Sequence, residues 1–158
     1  MKSENPKLEE VQGELVIAKH MRIHKSIFSS RSDLKVMNTQ VQNYVVNILE
    51  PLLTMSYQLG NDYPHEAVKE IWKLLFENAA HDSIGSCISD TANQDVLIRY
   101  KQARDIAVNL VELHSRLIAT HIQSDAKMSI TLFNTLPVQR NDVVILKVYL
   151  PKEFICYL

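Results

Sequence analysis

The residues best suited to chemistry lie in one polar stretch, HDSIGSCISD at positions 81–90. It brings together one imidazole, two carboxylates and three hydroxyls between two apolar segments. A neutral imidazole next to a carboxylate suits a mixed nitrogen and oxygen site for zinc or a similar divalent ion. Asp and Ser side chains also cap helices. On these residues alone, capping of the next helix is therefore the favoured interpretation, and a metal site is the alternative.

The other histidines give weaker signals. His114 and His121 are seven residues apart on the apolar stripe of a predicted helix, which favours packed core histidines over metal ligands. His65 is expected to be solvated in the first turn of a helix. His20 and His24 have the i,i+4 spacing of zinc ligands, but that spacing indicates zinc only with a third ligand nearby. A small zinc protein using this pair is the third and weakest option.

Composition narrows the function classes. The 158 residues are 46% apolar and 22% charged, which fits a globular chain able to bury a core. A net charge of -1 argues against a nucleic-acid binder that works by bulk basicity. Cys87 and Cys156 lie far apart, so we expect reduced, partly buried thiols in a cytoplasmic protein. The longest apolar runs are only a few residues, so no membrane span is expected.

Three helices must position the polar stretch. Ser32 or Asp33 is the predicted N-cap of the first, which is kinked at Pro51 and ends near Gly60. Its apolar residues recur at steps of three and four: Val41, Val45, Ile48, Leu52, Met55 and Leu59. Pro64 opens the second helix. Its predicted buried face is Val68, Ile71, Trp72, Leu75, Phe76 and Ala79.

The third helix is predicted from about Asn93 to Gln123. Its stripe is Val96, Tyr100, Ala103, Ala107, Leu110, His114, Leu117 and His121. After Asp125 the period shifts toward two at Ile130, Leu132 and the run VVILKVYL, which predicts strands. We therefore expect a mainly α fold, a three-helix bundle with a short C-terminal β segment. The predicted divisions are a lead-in over 1–31, the bundle over 32–124 and the first strands of a β region over 125–158.

Several motifs in order resemble glycoside hydrolase family 38, the metal-dependent alpha-mannosidases, and its bacterial members in particular. GEL at 13–15, SSR at 29–31 and DLK at 33–35 are similar to the segment that leaves the catalytic domain and enters the helical middle domain. EPL at 50–52 resembles the kinked first bundle helix, and HDSIGSCISD resembles the metal-site motif. LFNTLP at 132–137, followed by Arg140, resembles the opening of the large C-terminal β region.

This resemblance implies roles for two residues. His81 corresponds to the histidine that ligates the active-site zinc, and Asp82 to the aspartate that hydrogen-bonds hydroxyls of the bound mannose. Ser86 stands where many bacterial members have a second glycine. The nucleophile, the acid/base and the other zinc ligands belong to an N-terminal α/β domain, so no catalytic residue is assigned here.

The resemblance implies a fragment of a zinc-dependent retaining alpha-mannosidase. Its substrate would be an alpha-mannoside such as mannosylglycerate or its phosphorylated form. We expect the chain by itself to be inactive and not to retain zinc, with no nucleic-acid or membrane partner. A homo-oligomer is compatible with exposed sheet edges. The alternative is a non-enzymatic helical module that binds a protein partner. An inward, packed His81 favours that module, and a His81 that projects onto an open face favours the enzyme.

Overall fold

The computed structural model describes residues 10, 12, 24–126, 128–147 and 149. A 3-10 helix, Lys25–Phe28, precedes the first long helix. The remaining helices are α1 (Ser32–Tyr44), a π-helical segment (Val45–Leu49), α2 (Glu50–Gln58), α3 (His65–Asn78), α4 (His81–Gly85) and α5 (Asp90–Thr120). The mainly helical fold class is confirmed. Within the part of the chain that the structure describes, no helix is long and apolar enough to cross a membrane.

The first long helix is continuous from α1 to α2 but changes its winding midway. The Glu50 N–H donates to the Val45 carbonyl, five residues back, as in a π-helix. Pro51 follows at the start of α2, where its missing N–H is tolerated in the widened turn. The extra residue rotates the apolar stripe, so Leu49 is buried while Ile48, which the regular stripe predicted to be buried, is exposed.

The end of this helix agrees with the sequence-based expectation. Gly60 adopts a φ of 91°, the left-handed conformation that favours glycine after a helix. Its N–H donates to the Tyr57 carbonyl at 2.9 Å. The polypeptide then turns into α3, which begins at His65, directly after Pro64.

Helix α3 buries a face that is partly different from the predicted one. Val68, Ile71 and Leu75 are buried as expected, but Phe76 and Ala79 are exposed. Leu74 and Asn78 are buried in their place. Phe76 lies five residues, about 140° of helical rotation, from the buried Ile71, so it points away from the bundle.

Helix α5 is the central helix of the bundle, because it packs against α1, α2 and α3. It begins at Asp90, earlier than predicted, because the Ser89 hydroxyl accepts the Ala92 N–H at 3.2 Å and caps it. One core joins the helices. Its buried members include Leu34, Val41, Val45, Leu49, Leu53, Ile71, Leu75, Val96, Tyr100, Ala103 and Ala107.

The described residues beyond Asp125 form no strand, so the predicted strands at Ile130, Leu132 and 143–150 are not seen there. Val143 and Ile145 are almost fully exposed. A strand needs a paired neighbour and a face to bury, and two short segments cannot supply both. Residues 148 and 150 and most of the lead-in lie outside the described residues, and the proposed domain divisions stay predictions.

Candidate functional site

The polar stretch after α3 folds into a single helical turn, α4, with none of its residues buried. The Cys87 N–H donates to the Asp82 carbonyl at 2.9 Å and the Ser86 N–H to the Ser83 carbonyl at 3.1 Å. These two bonds form a Schellman motif, whose residue after the cap is usually glycine. Ser86 occupies that position with a φ of 70°. The turn therefore keeps the left-handed residue without glycine.

His81 and Asp82 project from this turn into solvent. Their side chains are 95% and 62% exposed, and His81 Nε2 lies 3.3 Å from Asp82 Oδ1. At this exposure the pair contributes little to stability. The structure thus leaves the imidazole and the carboxylate accessible to a ligand, and neither side chain has a packing role in the bundle.

An open pocket of about 460 Å³ lies beside these two residues. One wall comes from α4 and the residues just after it, and the other from the 3-10 helix and the residues around it. The residues whose side chains offer polar groups to it include His24, Ser30, His81, Asp82 and Ser86. His24 therefore shares a pocket with His81, whereas its predicted partner His20 lies outside the described residues.

Several polar contacts join the regions that form the two walls, and one of them is direct, since Ser86 Oγ donates to the Ser30 carbonyl at 3.1 Å. Lys35 Nζ donates to the Ser30 carbonyl at 2.5 Å and to Ser86 Oγ at 2.6 Å. Arg31 forms an ion pair of 2.6 Å with Asp90, at the start of α5. Burial lowers the pKa of Lys35, and the nearby Asp33 carboxylate opposes this by raising it. The walls are held together mainly by polar groups.

Asn78 holds the other side of the site. Its side chain is completely buried at the end of α3, where Nδ2 donates to the Val96 carbonyl at 3.0 Å. Arg99 Nε donates to Asn78 Oδ1 at 2.6 Å. Both partners belong to α5, so this amide fixes the end of α3 against α5. Asn78 is three residues before His81.

The structure places the two histidines of the predicted pair, His114 and His121, in different environments. His114 is buried, with Nδ1 2.8 Å from Ser56 Oγ, and burial lowers its pKa. This confirms a satisfied core histidine. His121 follows the last residue of α5 and is exposed, because the helix ends at Thr120. His65 is exposed as expected.

The donor set around His81 tests whether a metal fits. Among the residues that the structure describes, no three His, Cys, Asp or Glu side chains are grouped so that they could hold a metal ion. His81 offers an unblocked imidazole, so it fits as one ligand of a site completed by other residues.

Cys87 is exposed, which corrects the expectation of a partly buried thiol, and Cys156 lies outside the described residues.

Comparison with known proteins decides the family. Residues 22–118 match the family described as "Alpha mannosidase middle domain". The chain belongs to this family. A relative from Halalkalibacterium halodurans named "Putative mannosylglycerate hydrolase" is 32% identical over 98 residues, which are 61% of this chain. The chain spans about one tenth of the length of that relative. No solved structure matches the chain.

For this alpha-mannosidase middle domain, sequence reasoning missed two residues whose hydrogen bonds lie next to the site. Lys35 was part of the DLK motif but had no assigned role, and Asn78 had none either. Lys35 offered only a weak signal, a charged side chain in the first turn of the predicted helix. Asn78 had a weaker signal, a polar residue seven positions after the buried Ile71. The identity of their partners needed the fold.

Proposed function

We propose that this chain is the middle helical part of a longer zinc-dependent, retaining alpha-mannosidase of glycoside hydrolase family 38. The match to the alpha-mannosidase middle domain supports the glycosidase assignment. Within that enzyme, His81 ligates the zinc and Asp82 binds the sugar. The nucleophile and the acid/base are carried by other parts of the longer protein.

The observation that carries this proposal is the exposure of His81. A bundle needs only a polar turn between α3 and α5, and a packing histidine would be buried, as His114 is. His81 is instead 95% exposed beside Asp82 at the mouth of a pocket. An accessible imidazole and carboxylate suit metal and sugar binding better than they suit a scaffold.

The chain and the metal supply different parts of the proposed reaction. A neutral His81 donates a nitrogen lone pair to zinc, while the Asp82 carboxylate accepts hydrogen bonds from sugar hydroxyls. Zinc, when bound, would supply positive charge that polarises sugar hydroxyls and favours the charged transition state. Retention requires two further carboxyl groups about 5 Å apart, outside the roles of His81 and Asp82.

We propose mannosylglycerate or its phosphorylated form as the alpha-mannoside substrate. The printed name of the relative from H. halodurans supports this choice. A cytoplasmic location and self-association also stay predictions. Size-exclusion chromatography with light scattering tests the second of these.

The decisive test is His81→Ala in the intact enzyme that contains this chain. We expect bound zinc and alpha-mannosidase activity to be lost together, measured by metal analysis and by hydrolysis of an aryl alpha-mannoside. His65→Ala is the matched control, because His65 is also exposed but lies at the start of α3, away from the pocket residues. It should keep both zinc and activity. A His81→Ala enzyme that also kept both would overturn the proposal.

The chain by itself gives a second test. We expect no turnover of an aryl alpha-mannoside, since two carboxyl groups of the required spacing must come from elsewhere. Zinc binding measured by calorimetry should be weak, because one imidazole and one carboxylate leave the tetrahedral shell incomplete. Submicromolar zinc affinity would indicate a self-contained site instead.

A non-enzymatic interaction module is the second candidate. It is favoured by the Trp72 and Phe76 rings, which stack with centroids 5.6 Å apart on α3 while Phe76 is 67% exposed. Phe76→Ser separates the two candidates. It should leave zinc and activity of the intact enzyme unchanged, whereas it would abolish partner binding by a module that used this face.

A further inference from the structure

Three groups from separate parts of the chain meet beside α4. The Lys35 ammonium donates to both the Ser30 carbonyl and the Ser86 hydroxyl, and the Ser86 hydroxyl donates to the same carbonyl at 3.1 Å. Lys35 belongs to the first turns of α1 and Ser86 directly follows α4. The cluster therefore ties the α4 turn to the start of the first long helix.

Helix α4 has few other means of keeping its place. It is one turn long and buries no residue, and an isolated helix of this length is not stable in water. Its Schellman bonds close the turn on itself without attaching it to a neighbour. It makes a few contacts with α5, and the Lys35 hydrogen bond attaches it to α1.

We propose that Lys35 is a positioning residue, which holds α4 so that His81 and Asp82 face the pocket; this rests on the roles proposed above for those two residues. The ammonium is partly withdrawn from water, and hydrogen bonds from a charged donor are stronger than neutral ones. When the Lys35 donor is removed, the Ser30 carbonyl and the Ser86 hydroxyl retain only the hydrogen bond between them.

Lys35→Met tests this clamp, the hydrogen bonds from Lys35 to Ser30 and Ser86, because it keeps most of the length of the side chain and removes the charged donor. The readout is hydrogen exchange at the Ile84, Ser86 and Cys87 amides, whose N–H groups bond within this turn. We expect exchange there to become roughly tenfold faster. Exchange at core amides of α5 should change much less.

Three further variants make the result specific. Lys69→Met is the matched control, since Lys69 is an exposed lysine of α3 that pairs only loosely with Glu66 at 3.5 Å. It should leave α4 exchange unchanged. Lys35→Arg retains a charged donor and should recover most of the protection. Ser86→Ala removes the acceptor, so adding Lys35→Met to it should accelerate exchange much less than in the wild-type chain.

Unchanged α4 exchange in Lys35→Met, or equal loss of protection in α4 and α5, would overturn the positioning role. If Lys35→Met does not fold, Lys35→Arg and Ser86→Ala decide, because a clamp requires the first to be mild and the second to loosen α4 alone. These measurements need neither metal nor activity. A loosened α4 together with an active His81→Ala enzyme would retain the clamp and reject the proposed function.

Discussion

Helix α5 contains one histidine near its C-terminal end and is preceded by another in α4, and the two side chains lie in opposite environments. Near its C-terminal end, His114 is buried against Ser56 and has its pKa lowered by burial. Before its N-terminal end, His81 stands exposed on a turn with no buried residue. The two histidines are separated by 33 positions in the same sequence, yet one completes a core and the other is free to bind.

The difference lies in how each region is held. The bundle is stabilised by apolar burial along three helices, which is non-directional and large in sum. The site is held by a few directional contacts, those of Lys35, Arg31 and Asn78. A change in the bundle should therefore reduce global stability, whereas a change in the site should act locally and affect ligand binding.

Leu49→Ala should have the largest effect on the free energy of unfolding. Leu49 is fully buried at the end of the π-helical segment, and large-to-small changes in a core cost about 2–5 kcal/mol. Ile48→Ala is the control, because Ile48 is exposed, and it should cost about 1 kcal/mol or less. Urea unfolding measures both. Equal costs for the two variants would contradict the rotated stripe.

His114→Ala should come next, with a loss of about 1–3 kcal/mol, since it leaves the buried Ser56 hydroxyl without its partner. The double variant with Ser56→Ala should lose less than the sum of the two single changes. By comparison, His81→Ala should leave the urea midpoint of this chain unchanged. A large loss of stability in His81→Ala would remove the contrast between the two histidines.

A smaller, local effect is expected at Ser86. Both Ser86→Gly and Ser86→Ala remove the hydroxyl, but only glycine relieves the positive φ of 70°. Glycine should therefore be favoured over alanine by about 1 kcal/mol at this position. Amide exchange in α4 should accordingly be slower with glycine than with alanine. Equal exchange rates would mean that the left-handed conformation imposes no strain here.

The smallest effect should come from pH, since a single group is involved. Burial lowers the folded-state pKa of His114 below its ordinary value of 6.5, so the unfolded chain binds more protons between the two values. Stability should thus rise with pH through that window and fall as His114 is protonated in acid. His114→Gln should flatten this part of the profile of unfolding free energy against pH. An unaltered slope would contradict the assignment.

Much of the bundle was predictable because helical periodicity is local. The 4-3 pattern located three long helices, and Gly60 marked the end of the first, whereas its N-cap is Arg31 and neither Ser32 nor Asp33. The errors have local causes that periodicity does not record. Because of the π-helical segment, Leu49 is buried in place of Ile48. Because α5 ends before His121, that histidine is exposed. The predicted strands lacked partners within the described residues, and pairing is not a local property.

By itself, the sequence determined the helical class, the family resemblance that the family match confirmed, and His81 and Asp82 as candidates for the site. Residue types and spacing suffice for these, because they depend on near neighbours. Only the tertiary structure decided that His114 is buried while His81 is exposed, that Lys35 hydrogen-bonds Ser86 and that Asn78 joins α3 to α5. Those outcomes depend on contacts between residues far apart in the chain, such as Lys35 with Ser86 and Asn78 with Val96. Sequence spacing carries no record of such partners.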